Sequence, residues 1–226
     1  MSKFIICFIQ PKRWSKEMIE KISDFLTEQI RQEQPEIDNE RAEAINYGIQ
    51  LMFGEVPKIF LLFFLSFLLG VGPLTIATFI ILLLYKAFSG GFHAKTHFGC
   101  IVSTNVFYIG CALLAKYLVI PEPIRLGVIA VTWIVGIILV TKYAPADTEN
   151  FPILRKKERK QRKILSYITL TIVLLIATFV PWRELGIALI LTTFIQSLFL
   201  TPVVYKITKN KYGYEVYGKE ECPENL

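Results

Sequence analysis

Long apolar runs separated by short polar connections dominate the pattern of this chain. The runs cover residues 56–70, 74–88, 101–120, 124–143, 164–181 and 185–205. An α-helix of about 20 apolar residues crosses the hydrocarbon core of a bilayer, and the two shortest runs reach that length only with flanking residues or a thinned bilayer. The pattern therefore predicts an all-α membrane protein with about six transmembrane helices. Buried or re-entrant helices are the alternative for the first two runs.

Two amphipathic segments precede the apolar runs. In residues 15–34, Met18, Ile22 and Ile30 recur at helical spacing among charged residues, and Pro35 should end the helix. In residues 38–53, Ile45 and Ile49 lie on one stripe, and Asp38 or Asn39 can cap the helix start. We expect two helices on the membrane surface, with a small soluble helical hairpin as the alternative.

These patterns divide the chain into three expected regions. Residues 1–54 form the interfacial helices, residues 55–205 the six-span domain, and residues 206–226 a polar cytoplasmic tail that we expect to be flexible. No signal peptide is recognisable at the start of the chain.

Composition agrees with a membrane protein, since 53% of the 226 residues are hydrophobic. The net charge of +6 is concentrated in loops, which indicates orientation and contact with anionic lipid and gives no reason to expect nucleic-acid binding. The four cysteines have no pairwise spacing typical of disulfides or metal sites: Cys7, Cys100, Cys111 and Cys222. Cys111 lies within an apolar run and is expected to be a buried core residue.

The connection between the fourth and fifth runs fixes the expected orientation. It is strongly basic: Arg155, Lys156, Lys157, Arg159, Lys160, Arg162 and Lys163. Such loops are cytoplasmic in most membrane proteins. Counting spans outward places both termini and residues 86–100 on the cytoplasmic side, and the tight connections 70–73, 121–123 and 182–183 outside.

The strongest candidate for chemistry lies between the second and third runs, where both histidines, His93 and His97, precede Cys100. A cysteine is a good nucleophile when a neighbouring group favours its thiolate, and an imidazole can take the proton and return it to a leaving group. On one straight helix, His93 and Cys100 would lie about 10 Å apart along the axis. Pairing therefore requires a chain break, which the glycines at 90, 91 and 99 permit. His97, three residues before Cys100, is the alternative base because an ordinary helix would bring it near the thiol.

Other interpretations of this segment remain open from the residues alone. His93, His97 and Cys100 could be three zinc ligands, although no glutamate stands beside the histidines as a catalytic base. They could also be an inert thiol and two interfacial histidines, or belong to a peptide exporter without catalysis. For a nucleophilic cysteine, backbone N–H groups at 99–101 are candidate donors to the oxyanion.

A second polar segment, residues 142–153, follows the fourth apolar run. Pro145 and Pro152 stiffen the backbone around Asp147. Asp147 can orient a histidine as the third member of a catalytic triad, or it can stabilise a turn.

With these residues laid out, the chain resembles the AgrB family, the accessory gene regulator B membrane peptidases of Gram-positive bacteria. The segment Gly91-Phe92-His93-Ala94, with Cys100 seven residues after the histidine, matches the most specific element of the family. Tyr143-Ala144-Pro145-Ala146 with Pro152 matches a second, and Gly48-Ile49-Gln50 resembles a weaker third. The resemblance covers residues 39–205.

The resemblance implies a cysteine (thiol) endopeptidase of quorum sensing in the bacterial cell membrane. It would cut a propeptide of the AgrD type on its C-terminal side and close a thiolactone or lactone ring from an acyl-enzyme. The family's catalytic pair falls on His93 and Cys100, which favours His93 over His97. No cofactor or metal is implied, and a homodimer is compatible with the family.

Four further residues are candidate supports for the site: Gln50, Lys86, Gly91 and Asp147. Lys86 stands where the family often has arginine, so the positive charge is kept but the bidentate guanidinium is lost. The family does not assign Asp147 to a triad.

Overall fold

The computed structural model describes residues 11–34, 36–92, 94, 96–149 and 152–217. Within these ranges the regular structure is helical, as predicted. In chain order the helices are α1 (Pro11–Glu33), α2 (Asn39–Leu68), α3 (Gly72–Ser89), α4 (His97–Tyr117), α5 (Glu122–Tyr143), α6 (Lys156–Phe179), α7 (Arg183–Leu198), α8 (Pro202–Ile207) and α9 (Gly213–Tyr217).

Five of the described helices are long and apolar enough to cross a membrane: α2, α3, α4 from Phe98, α5 and α6. The predicted sixth span, 185–205, is divided into α7 and α8 by a turn at 199–201. With 16 residues, α7 extends only about 24 Å. The expected all-α membrane architecture is confirmed, with five helices of spanning length and a shorter α7.

The chain separates into two compact units, Met1–Leu62 and Phe63–Leu226. In the first unit, α1 ends just before Pro35 as predicted, and Asp38 caps α2 by accepting a hydrogen bond from the N–H of Arg41 (2.8 Å). The second predicted amphipathic helix and the first predicted span are one continuous helix, α2, which contains Pro57. Proline removes a single helical hydrogen bond, which long apolar helices tolerate. The expected domain boundary at 54/55 therefore falls inside a helix.

Helix α7 is the core of the second unit, and α3, α4, α5 and α6 pack around it. Ten of its residues are buried, among them Thr192, Gln196 and Ser197. Small residues permit this close packing: a Cβ on Gly186 would lie 2.9 Å from the carbonyl oxygen of Ala177. The predicted sixth span is thus shielded by its neighbours.

The helices of the second unit alternate in direction, so every second connection lies at the same end. The breaks after α3, α5 and α7 meet at one end, called the site end below, where Gly90 pairs with Ala146 and with Gln196. At the opposite end, Lys116 donates to the carbonyl of Gly70 (3.2 Å) and Arg183 to that of Ile120 (3.1 Å). The histidine–cysteine segment and the basic loop therefore share an end, as expected. Its cytoplasmic location stays a prediction.

The expected flexible tail is folded over its described part, residues 206–217. Tyr205 and Tyr212 stack with ring centroids 4.1 Å apart. Gly213 lies so close to the 144–152 segment that a Cβ there would meet the Thr148 carbonyl oxygen and Pro152. Aromatic stacking and close backbone packing place these residues at the site end, and the expected flexibility of the tail stays a prediction.

Candidate functional site

Cys100 lies in the first turn of α4. The Thr96 side chain caps this helix by accepting a hydrogen bond from the N–H of Gly99 (2.8 Å), and the N–H of Cys100 donates to the Thr96 carbonyl (2.9 Å). Because α3 ends at Ser89 and α4 begins only at His97, the predicted break between His93 and Cys100 is confirmed. Residues 90–92, 94 and 96 lie outside both helices, whereas Gly99 is helical.

The cap changes the expected set of oxyanion donors. The N–H groups of Gly99 and Cys100 are already engaged by Thr96, so they are poor candidates. The N–H groups of His97 and Phe98 begin the same helix and have no intrahelical acceptor. The start of α4 could therefore stabilise developing negative charge through these two groups.

The chain break is built from two glycines with positive φ, Gly90 (77°) and Gly91 (135°). A side chain on Gly90 would collide with the carbonyl oxygen of Ala146. The Gly91 N–H donates to that carbonyl (2.9 Å), and the Ala146 N–H donates to the Ser89 carbonyl (2.9 Å). Backbone hydrogen bonds thus join the two polar segments found in the sequence, and the N–H of Gly91 donates one of them.

A cavity of ≈ 40 Å³ adjoins Cys100. Its lining combines the helix break, the first turns of α4 and the end of α7: Lys86, Gly91, Phe92, Ala94, Cys100, Ser103, Thr104, Phe107, Gln196 and Phe199. Cys100 is half-buried and forms no disulfide. This volume is little more than that of one water molecule, so the space beside the thiol is small.

Aromatic rings close one side of the cavity. Phe199 contacts Phe92 and Phe107 with ring centroids 4.9 and 5.3 Å apart. These ring contacts give that side of the cavity an apolar lining.

Gln196 is a cavity residue that the sequence analysis missed. Its side chain is fully buried, and its Nε2 donates to the carbonyl of Gly90 (2.8 Å). Its Oε1 is also buried but has no hydrogen-bond partner. The available signal was a lone amide in the apolar run 185–205, because polar residues within spans are costly and often functional.

A larger cleft of ≈ 650 Å³ also borders the helix break at Gly90 and Gly91. Lys86 and Gly91 line both this cleft and the Cys100 cavity. Charged side chains of both signs line the cleft, including Asp147, Glu158 and Arg162. The cleft therefore presents charged side chains of both signs on a largely apolar surface, and it adjoins the Cys100 cavity through Lys86 and Gly91.

Asp147 lines the cleft rather than the Cys100 cavity. Its Oδ2 lies 3.2 Å from Nη1 of Arg159 and accepts a hydrogen bond from the N–H of Ile153 (3.0 Å), while its Oδ1 is buried without a partner. Asp147 thus fixes the 144–153 segment against α6. Whether it also orients a histidine stays a prediction.

Tyr205 also holds the segment that contains Asp147. Its hydroxyl lies 2.9 Å from the Ala146 carbonyl and 3.0 Å from that of Asp147 and donates to them. Burial raises the pKa of Tyr205, with a smaller contribution from Tyr212, so the phenol keeps its proton at neutral pH.

His93 lies outside the described residues, and so does the side chain of His97. Gln50 belongs to the first compact unit, where its Nε2 donates to Oδ1 of Asn46 (2.6 Å) beside a polar groove of ≈ 540 Å³. The roles of His93, His97 and Gln50 stay predictions.

The described residues contain no group of three potential metal ligands. Both histidine side chains lie outside these residues, so the zinc alternative stays untested.

Comparison with known proteins gives a consistent picture. The family model described as Accessory gene regulator B matches residues 20–200. An AgrB-like protein of Listeria innocua is 24% identical over 200 residues, covering 88% of this chain and 94% of the relative. An AgrB-like protein of Clostridium acetobutylicum is 26% identical over 179 residues, covering 76% and 82%. The accessory gene regulator protein B of Staphylococcus aureus is 28% identical over 190 residues, covering 82% and 95%. No solved structure matches with comparable significance.

Proposed function

The chain belongs to the accessory gene regulator B family, and from that premise we propose that it is a membrane cysteine endopeptidase that processes an AgrD-type propeptide. The family acts in quorum sensing. The proposed reaction cuts the propeptide on its C-terminal side and closes a thiolactone or lactone ring.

One observation supports the proposal most strongly: Cys100 sits in the first turn of a helix, against a small cavity bounded by the helix break. A nucleophile needs an accessible face and a fixed direction of attack. The capped turn fixes the backbone of Cys100, and the break at Gly90 and Gly91 allows the following segment to fold back toward it.

The proposed chemistry uses Cys100 as nucleophile and His93 as base. His93 takes the thiol proton, and the sulfur attacks the scissile carbonyl carbon. Collapse of the intermediate breaks the peptide bond, and the departing amine takes the proton from the imidazolium. A thiol or hydroxyl of the peptide then attacks the thioester; its proton passes through the imidazole to the released Cys100 sulfur.

The cleft and the basic loop provide a surface for the propeptide. Arg162 and Lys86 line the cleft, and the first turns of α6 carry further basic residues. We expect an acidic C-terminal segment of the peptide to bind here, and an amphipathic segment to lie on the N-terminal helices at the membrane surface. The alternative is that the basic loop only sets orientation.

Peptide export without catalysis is the second candidate function. Polar groups buried within spans favour it, since the hydroxyls of Thr75, Thr78 and Thr193 are buried without hydrogen-bond partners. An exporter would translocate the peptide intact.

Thiol alkylation tests the proposal against both rivals. We expect N-ethylmaleimide to stop cleavage of a synthetic propeptide by the protein in liposomes, with the modified residue mapped to Cys100 by mass spectrometry, because alkylation removes the nucleophile. A metal chelator should leave the rate unchanged. Inhibition by the chelator would support the zinc hydrolase instead, and transport of uncut peptide after complete alkylation would support the exporter.

A further inference from the structure

We propose that Gln196 binds the propeptide, with its Oε1 accepting a hydrogen bond from a backbone N–H next to the scissile bond. This inference rests on the proposed peptidase function. It assigns a substrate-positioning role to a residue of α7 that none of the sequence motifs contains.

The side-chain amide of Gln196 has one possible orientation. The carbonyl oxygen of Gly90 lies 2.8 Å from Nε2 of Gln196 and can only accept. A flipped amide would place two oxygens against each other, so Nε2 must face Gly90 and Oε1 must point away from it.

In this orientation, Oε1 of Gln196 is a buried acceptor without a donor. Gln196 is fully buried, and its Oε1 has no hydrogen-bond partner. Buried acceptors are nearly always satisfied, so an exception beside a candidate nucleophile indicates a group whose donor arrives from outside. The same side chain lines the cavity that adjoins Cys100.

The shape of the cavity selects the donor. The cavity is small, ≈ 40 Å³, and the ring of Phe199 lies in its lining, which favours a compact donor over a bulky side chain. A backbone N–H of a peptide that lies along the mouth of the cavity is the most compact donor that a propeptide offers. This N–H would bind Gln196 while the adjacent carbonyl faces Cys100, and this would hold the scissile bond in the attack geometry.

Replacement of single peptide bonds by esters tests this contact. The cut site is first located by mass spectrometry. Synthetic propeptides then carry one ester at each of the bonds flanking the scissile one, which removes one N–H donor at a time. For the wild type we expect one position at which the ester lowers kcat/KM about tenfold, the usual value of one lost hydrogen bond. For Gln196→Leu we expect that position to show no preference for amide.

Thr192→Val is the matched control. Thr192 is also a buried polar residue of α7, about one turn before Gln196, but its hydroxyl donates to the Ala188 carbonyl (2.8 Å) and does not line the cavity. This variant should keep the amide preference of the wild type.

The outcomes separate this inference from the function on which it rests. Equal cleavage of every ester peptide by the wild type overturns the role of Gln196 and leaves the peptidase proposal standing. An unchanged amide preference in Gln196→Leu does the same. Failure of the wild type to cleave any peptide overturns both.

Discussion

Replacement of Cys100 by alanine is expected to lower propeptide cleavage by at least about 10³-fold, since it removes the atom that forms the acyl-enzyme. The protein itself should remain folded, because Cys100 is only half-buried and its N–H bonds to Thr96 through the backbone. Cleavage is measured by mass spectrometry of the propeptide with membranes containing equal amounts of each variant.

Cys111→Ala provides the control for this experiment. Cys111 lies on the same helix but is buried in the core and does not line the cavity. Its replacement should cost some stability and leave the cleavage rate per folded molecule close to that of the wild type. Cleavage by Cys100→Ala at the wild-type rate would show that another group is the nucleophile.

Replacement of His93 by alanine is the second large effect, with an expected loss of about 10²- to 10⁴-fold in kcat, the usual contribution of a general base. His97→Ala should reduce cleavage far less. His97 is the necessary comparison because it begins α4, three residues before Cys100 on the same helix. The two variants therefore separate the base implied by the family from the base that helical spacing favours.

The pH dependence of the His variants gives an independent check. In the wild type, the acidic limb of kcat/KM should follow the titration of an imidazole, and this limb should disappear in His93→Ala. If the limb disappears in His97→Ala instead, the roles of the two histidines are exchanged.

The aromatic lining of the cavity bears on the energetics of ring closure. A thioester is less stable than the peptide bond it replaces, so cyclisation proceeds only if the cleaved fragment leaves or the ring is removed. Hydrolysis of the acyl-enzyme would consume the thioester irreversibly without forming a ring. The rings of Phe92, Phe107 and Phe199 beside Cys100 would restrict water and favour attack by the peptide's own nucleophile.

The sequence was sufficient for the helical class, for the shared end of the two polar segments and for a break before Cys100. These features follow from apolar run lengths, loop charge and paired glycines, all of which are local signals. Gly90 shows how far such signals reach: its freedom to adopt positive φ was predicted, but the Ala146 carbonyl that excludes a side chain there was not.

Two features of the fold were not indicated by the sequence: the continuity of α2 through Pro57 and the shortness of α7. A proline within an apolar run does not by itself fix the end of a helix. Gln196 was missed because its contacts with Gly90 and the cavity join positions far apart in the chain. The same holds for the contacts of residues 206–217, whose polar composition is typical of a flexible tail.

The most direct test of the central claim is to trap the acyl-enzyme. A propeptide whose internal cysteine or serine nucleophile is replaced by alanine cannot close a ring, so the thioester should accumulate. Intact-protein and peptide mass spectrometry should then find the N-terminal fragment of the propeptide attached to Cys100, in a bond that hydroxylamine cleaves. Detection of cut propeptide with Cys100 never acylated, under conditions where the wild type turns over, would contradict the account.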